Sequence, residues 1–132
     1  MQSKKENLIV DLTFQFSLDI IEYAELLEGQ KKFVLAKQLL RSGTSIGACV
    51  REAQNAESKA DFIHKLKIAA KEADESEYWL LLCQSAKSYP SNKELLSKIV
   101  SINRVLSKII GSSKRNGKPS SNFQIDISPN HL

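Results

Sequence analysis

Apolar residues recur every three or four positions over most of the chain, which is the repeat of one face of an α-helix. Four segments show this repeat, and short polar stretches separate them. Four long helices with short connections predict an all-α fold, an antiparallel up-down-up-down four-helix bundle. We expect one domain over residues 1–111, with helices at about 8–28, 32–56, 59–87 and 92–110.

Two of the predicted helices begin with a capping pattern. Ser58 precedes Asp61 by three residues, and Ser91 precedes Glu94 by the same distance. In such a pair the hydroxyl accepts a hydrogen bond from a backbone N–H group that has no partner within the helix. The first helix is expected to end at Gly29, because glycine adopts the left-handed conformation without penalty.

The C-terminal part of the chain departs from the helical repeat. We expect the fourth helix to end at Gly111 and residues 112–132 to form a flexible basic tail, because the sequence there is rich in serine, lysine and glycine. Within this tail Phe123, Ile125 and Ile127 alternate with polar residues, a pattern suited to a short extended segment.

Two helices carry features that bear on packing. In the first, Phe14, Leu18 and Ile21 widen the apolar stripe of that helix. In the second, Gly43 and Gly47 lie one turn apart, although each interior glycine costs about 1 kcal/mol relative to alanine. We expect close helix packing at both glycines. The alternative is backbone exposed to a phosphate, but no Gly-Lys-Ser/Thr follows to form a phosphate loop.

The third predicted helix is apolar on every side near its C-terminal end, over residues 78–83. A surface helix of a monomer carries a polar face at such a place. We therefore predict that one side meets the core and the other meets a second subunit. The predicted oligomer interface consists of Tyr78, Trp79, Leu81 and Leu82.

Just before this run, residues 72–77 contain four carboxylates within two helical turns. Such a cluster is usually a solvated face with a few salt bridges. Glu77 lies one position beyond the apolar seam of the helix, so it is a candidate for a partly buried ion pair. Arg41 and Arg51 are its candidate partners.

Composition places the chain among ordinary globular proteins, with 42% hydrophobic and 26% charged residues. Asp11 and Asp19 interrupt the first apolar stretch, so we expect no signal peptide, and no apolar run is long enough to span a membrane. Cys49 and Cys83 lie within apolar helical patterns without metal or redox spacing, which favours two buried thiols in a reducing compartment. We expect a cytoplasmic protein.

A search for catalytic or metal-binding residues finds one weak candidate. Asp61 and His64 have the spacing of half of a di-metal site in a helical bundle, but such a site needs a second copy of the pair. No nucleophile–base set, dinucleotide fingerprint or zinc signature is present. We therefore predict no enzyme activity, no cofactor and no metal site.

Charge is divided unevenly along the chain. Six of the eight charged residues in positions 1–30 are acidic, whereas residues 91–118 carry seven cations and only Glu94 as an acid. Cations in a row neutralise phosphates and release counterions. The alternatives are a solvated helix face, and docking of the acidic first helix with the basic fourth helix or with a partner. The candidate nucleic-acid-binding residues are Lys93, Lys98, Arg104, Lys108, Lys114, Arg115 and Lys118.

Three stretches also resemble a known family. Residues 39–53 are similar to the pattern L-R-R-S-x-x-S-I-x-x-N-I-x-E-G of the bacterial four-helix-bundle proteins, which are also called ribosomal RNA intervening-sequence proteins. Residues 58–66 resemble the Ser-x-x-Asp-Phe motif of that family, and residues 69–80 resemble its alanine-rich segment. Cys49 stands where the family usually has Asn, and Ala53 where it usually has Gly.

The resemblance implies an antiparallel four-helix bundle that assembles as a homopentamer in a bacterial cytosol. A related branch is the accessory protein of diversity-generating retroelements, a pentamer that binds nucleic acid and the reverse transcriptase. We therefore expect a non-enzymatic oligomer that contacts structured RNA or other nucleic acid. The alternative is a protein-interaction scaffold or accessory subunit, for example for a reverse transcriptase, without nucleic-acid binding of its own.

Overall fold

The protein folds as four helices, as the hydrophobic repeat predicts. The computed structural model describes residues 4–116, and it describes side chains from Leu8 to Arg115. The all-α fold class is confirmed, and three short connections join the helices. Their bounds are Lys4–Gly29 for α1, Phe33–Ala53 for α2, Lys59–Ser85 for α3 and Lys93–Asn116 for α4.

The helices enclose one core. Each helix packs against the next along the chain, and α1 also packs against α4, which is the least extensive of these contacts. Within residues 4–116 the diagonal pairs do not meet, so the four helices close into a square. The largest fully buried side chains all point into its centre and come from every helix: Ile9, Phe16, Ile20, Leu27, Leu39, Ile46, Val50, Leu66, Leu80, Ile99, Ile102 and Leu106.

The contact between α1 and α2 depends on two glycines. A β-carbon at Gly43 would lie 2.9 Å from both γ-carbons of Ile20, which is fully buried. A β-carbon at Gly47 would lie 3.3 Å from the carbonyl oxygen of Thr13. Both glycines therefore allow the two helix backbones to approach more closely than side chains would permit, which offsets their low helix propensity.

The contact between α2 and α3 contains a buried polar pair. Ser76 donates a hydrogen bond of 2.8 Å to the hydroxyl of Ser42, and both residues are fully buried. Ala69 and Ala73 lie on the same buried side of α3. Small residues at this contact leave room for the two hydroxyls to meet, and their mutual hydrogen bond avoids the cost of an unpaired buried polar group.

The two predicted caps differ in outcome. Ser58 directly precedes α3, and its hydroxyl accepts a hydrogen bond of 3.0 Å from the backbone N–H of Asp61, as predicted. Ser91 lies two residues before α4, and its hydroxyl donates to Gln84 instead. The side chain of Gln84 also accepts a 2.7 Å hydrogen bond from the backbone N–H of Asn92. The connection before α4 is thus fixed by α3 and not by a capping box.

Helix α4 continues through Gly111 to Asn116, six residues beyond its predicted end. An interior glycine costs only about 1 kcal/mol, and two features oppose that cost. Residues 112–114 are half-buried against the bundle. Lys114 and Arg115 lie in the last turn, where cations interact favourably with the helix dipole. The remaining part of the predicted tail, residues 117–132, lies outside the described residues.

Candidate nucleic-acid interface

Four exposed cations lie on one face of α4, on the side away from the core. Lys93, Arg104, Lys108 and Arg115 are separated by eleven, four and seven residues, which are close to whole numbers of helical turns. All four side chains are exposed. At a rise of 1.5 Å per residue, this α4 basic face is about 33 Å long. It is the longest run of aligned cations on any described helix of the chain.

The other residues of the α4 basic face are uncharged. Ser97 and Ser101 are exposed on it, between Lys93 and Arg104. The only carboxylate of α4 is Glu94, at its first turn, and α4 contains no aromatic residue. A surface of this kind suits the phosphate backbone of a nucleic acid, whereas base stacking needs exposed aromatic rings.

Lys98 is placed differently from the other candidate residues. Its ammonium group forms an ion pair with the carboxylate of Asp19 on α1, and the hydrogen bond to Asp19 raises the pKa of Lys98. Lys98 therefore links α1 to α4. Lys114 is half-buried, and Lys118 lies outside the described residues. Of the seven predicted residues, the structure thus brings four together on one exposed face.

A shallow groove of about 510 Å³ runs between α1 and α4 beside this ion pair. Its walls carry charges of both signs, with Asp19 and Glu22 on the α1 side and Lys93, Glu94 and Lys98 on the α4 side. Carboxylates in the groove repel a phosphate backbone. Of the α4 basic face, Lys93 also lines this groove, whereas Arg104, Lys108 and Arg115 lie outside it.

The acidic run of α3 pairs with Arg41, although not as predicted. Arg41 contacts the carboxylates of Glu72 and Glu75, and its hydrogen bond lowers the pKa of Glu75. Trp79 donates a 3.0 Å hydrogen bond to Glu75. Glu77 accepts a hydrogen bond of 3.2 Å from the side chain of Asn103 on α4. The proposed pair of Glu77 with Arg41 or Arg51 is therefore wrong, and Glu77 instead joins α3 to α4.

The predicted oligomer interface is an exposed apolar patch. Tyr78, Leu81 and Leu82 are 56%, 47% and 39% exposed, whereas Trp79 is half-buried against the core. Glu77 contacts Asn103 across antiparallel helices. From helical geometry we infer that residues one turn further along, Leu81 on α3 and Val100 on α4, lie near each other. The α3 apolar patch, as we call Tyr78, Leu81 and Leu82, therefore borders an exposed valine of α4.

The remaining groups with metal or nucleophile chemistry do not converge. Both cysteines are free, and burial raises the pKa of Cys49 and of Cys83, which disfavours their reactive thiolate forms. His64 is exposed. Among the described residues, no three His, Cys, Asp or Glu side chains are placed to hold a metal ion. None of the helices in this part of the chain is long and apolar enough to cross a membrane.

One surface was not anticipated from the sequence. Phe14, Leu18 and Ile21, which we expected to widen the core stripe of α1, are exposed on its outer side. Their spacing of four and three residues sets them half a turn away from Phe16 and Ile20. The sequence could have predicted this exposed surface, because α1 has two apolar faces and a helix in a four-helix bundle buries only one of them.

Fold and surface define a helical bundle with a basic outer helix and an exposed apolar patch. The family description "23S rRNA-intervening sequence protein" matches residues 5–108. The chain therefore belongs to the 23S rRNA intervening-sequence protein family, as its motifs suggested. No curated protein matches the chain significantly.

A solved structure agrees with this assignment. It is a crystal structure of a protein of unknown function from the S23 ribosomal protein family of Bacteroides thetaiotaomicron, with 44% sequence identity and a TM-score of 0.76. The match covers 81% of this chain and 98% of that one. The bundle is thus common to both proteins.

Proposed function

We propose that the protein is a non-enzymatic RNA-binding bundle that contacts the phosphate backbone of structured RNA through the α4 basic face. The observation that carries this proposal is the exposed row formed by Lys93, Arg104, Lys108 and Arg115, on a helix whose only carboxylate is Glu94, next to Lys93. Membership of a family described by the 23S rRNA intervening sequence supports RNA as the nucleic acid.

The chemistry of the face sets the kind of binding. Lysine and arginine neutralise phosphates and release condensed counterions, which gives affinity that depends steeply on salt and only weakly on sequence. Arg104 and Arg115 add planar guanidinium groups that bind phosphate oxygens in a bidentate manner. The serines between the cations supply hydroxyl donors at the same surface. Binding is therefore expected to follow the shape and charge of the RNA more than its bases.

Charge reversal on the face tests this function. We expect Arg104→Glu combined with Lys108→Glu to weaken binding to a labelled RNA hairpin at least tenfold, because two attractive phosphate contacts become repulsive. Fluorescence anisotropy at low salt gives the dissociation constants, and circular dichroism checks that the helices persist. Both side chains are exposed, so the fold is expected to tolerate the changes.

The matched control changes the same number of charges elsewhere. Lys37→Glu with Lys67→Glu alters two exposed lysines on α2 and α3, outside the α4 basic face. This variant is expected to change the affinity less than threefold. Equal loss of binding in the two variants would mean that net charge alone attracts RNA. Absence of binding by the unaltered protein, even at low salt, would refute the function.

We propose in addition that the chain assembles as a homo-oligomer through the α3 apolar patch, and a pentamer is the state that the family resemblance implies. Tyr78, Leu81 and Leu82 are large apolar residues next to each other on a surface, and such patches are typical of protein interfaces. In a ring, each subunit presents its own α4 basic face. Several weak RNA contacts then act together, and avidity exceeds the affinity of one subunit.

Light scattering coupled to gel filtration tests the assembly. We expect Tyr78→Glu with Leu82→Glu to raise the dissociation constant of the oligomer at least tenfold, because two charges are then placed where apolar contact is needed. Phe33→Glu with Val34→Glu is the control, since both are exposed apolar residues of α2 outside the patch. A monomeric unaltered protein at micromolar concentration, or equal dissociation of the two variants, would contradict this interface. A scaffold without RNA binding would assemble and fail the RNA test.

A further inference from the structure

The outer side of α1 carries an apolar stripe that no described residue covers. Phe14, Leu18 and Ile21 are 63%, 43% and 39% exposed. We call these three residues the α1 outer stripe. They lie on the side opposite to the buried Phe16 and Ile20. A phenylalanine exposed to this extent next to two aliphatic residues indicates a surface that binds another apolar segment.

The surroundings of the stripe are acidic. Asp11, Glu22 and Glu25 are exposed on the same side of α1, and this helix contains no lysine or arginine after Lys5. A segment that binds to the α1 outer stripe therefore needs apolar side chains, and the surrounding carboxylates favour positive charge at its edges. The α3 apolar patch is a separate surface on another helix, so the stripe is not part of the interface proposed above.

The chain itself contains a segment with these properties. After Asn116, the residues Phe123, Ile125 and Ile127 alternate with polar ones, so an extended segment has one apolar face. Alternate side chains of an extended segment are about 6.6 Å apart. Residues three and four apart on a helix are about 4.5 and 6.0 Å apart along its axis, so the spacings are similar. Lys118 supplies positive charge before the apolar residues, and Asp126, the one acid of the segment, alternates with Ile125 and Ile127.

The length of the segment agrees with the position of the stripe. The contacts of Asp19 with Lys98 and of Tyr23 with Asn92 fix the register of α1 against α4. In this register the end of α4 lies level with the start of α1, and Phe14 is about 20 Å back along the bundle. The seven residues from 117 to 123 span at most about 23–25 Å when extended. This length exceeds the distance of about 20 Å along the bundle, and the excess allows the chain to cross from α4 to α1.

We propose that residues 117–132 of each chain return over α1 of the same chain and place Phe123, Ile125 and Ile127 on the α1 outer stripe. Gly117 follows Asn116 in the sequence, and glycine permits the backbone conformation that reverses a chain after a helix. Asp126 and its polar neighbours then face solvent, away from the carboxylates of α1. Lys118 lies towards Asp11. This docking is independent of RNA binding and of the α3 apolar patch.

Disulfide formation in the full chain tests the contact. In a Cys49→Ser background, Leu18→Cys is combined with Ile125→Cys, and in a second variant Tyr78→Cys is combined with Ile125→Cys. Tyr78 is a matched control, because the contact of Glu77 with Asn103 places it about as far from the end of α4 as the stripe is. It is also an exposed residue of an apolar patch, and both variants carry Leu82→Glu, so that assembly through this patch does not cover it. Non-reducing gels and peptide mass mapping separate links within a chain from links between chains.

We expect the Leu18–Ile125 link to form within one chain, at least tenfold faster than the Tyr78–Ile125 link. Adding Phe123→Ser should slow it towards the control rate, because one of three apolar contacts is lost. Equal rates for the two pairs would overturn the proposal, as would a faster link to Tyr78. A Leu18–Ile125 link found only between chains would also overturn it, because the segment would then cover the α1 of a second copy.

Discussion

Replacing Gly43 with valine is expected to lower the free energy of unfolding by about 3 kcal/mol, the upper part of the range for overpacked cores. Even a β-carbon at this position would lie 2.9 Å from Cγ1 and Cγ2 of Ile20. Ile20 is fully buried and β-branched, so it has no free space into which to move. The two helices must then separate, and the contact between α1 and α2 is weakened along its length.

Urea denaturation followed by circular dichroism, at one protein concentration, measures this loss. Gly29→Ala is the control, since no atom beyond its chain neighbours and the backbone of its own helix lies within 4 Å of the added β-carbon, and it should stay within about 0.5 kcal/mol of the unaltered protein. Combining Gly43→Val with Ile20→Ala should cost at least about 1 kcal/mol less than the sum of the single changes, because the second removes the clash. Strict additivity would show that Ile20 is not the obstacle.

Replacing Tyr23 with phenylalanine is expected to lower the free energy of unfolding by about 1–3 kcal/mol at neutral pH, the cost of leaving buried partners unpaired. The hydroxyl of Tyr23 donates a 2.7 Å hydrogen bond to the carbonyl oxygen of Pro90. It also accepts a 3.2 Å hydrogen bond from Asn92, which donates to the carbonyl oxygen of Leu80 as well. These bonds connect the start of α4 to α1 and α3, and the α1–α4 contact is the least extensive of the four helix contacts.

The same hydroxyl makes stability depend on alkaline pH. Burial raises the pKa of Tyr23 from 10.0 to about 12 in the folded protein. The folded state therefore keeps its proton over a range in which the unfolded state has lost it. The resulting stabilisation is complete below pH 10 and is lost as the pH rises from 10 towards 12. The advantage of the unaltered protein over Tyr23→Phe should shrink over this range.

Denaturation of both proteins at neutral pH and at pH values above 10 measures the difference. Both carry Cys83→Ala, because the Cys83 thiol interacts with the Tyr23 hydroxyl, and their shared lysines affect both alike. Tyr78→Phe is the control, because Tyr78 is exposed in the single chain and phenylalanine keeps its apolar ring, so the change should leave stability within about 0.5 kcal/mol. If the difference in free energy of unfolding between Tyr23→Phe and the unaltered protein were the same at all pH values, the raised pKa of Tyr23 would be contradicted.

Periodicity predicted the helices because each buries a face whose spacing is fixed by helical geometry. It assigned α2 and α3 well, where Leu39, Ile46, Leu66 and Leu80 are fully buried. It failed on the outer side of α1, because Phe14, Leu18 and Ile21 have the same spacing as a core stripe. A repeat shows that residues share a face, but it does not show which of two apolar faces meets the core.

The candidate site was predicted in part for a related reason. The excess of cations along the fourth helix predicted Arg104 and Lys108 as binding residues, and the helical repeat places both on one exposed face. It could not separate Lys98, because the partner of that lysine, Asp19, is 79 residues away in sequence and reaches it only through the register of α1 against α4. The end of α4 was predicted too early, because glycine usually ends a helix and the sequence does not show that residues 112–114 are half-buried.

The salt dependence of RNA binding tests the central claim most directly. For the unaltered protein, a plot of log binding constant against log salt concentration should fall with a slope of about −3 per bound subunit, because four cations each displace roughly 0.7–0.9 of a counterion. In Arg104→Glu with Lys108→Glu the slope should become shallower by about 2, whereas Lys37→Glu with Lys67→Glu should leave it unchanged. A slope near zero, or one that responds equally to both variants, would contradict binding through the α4 basic face.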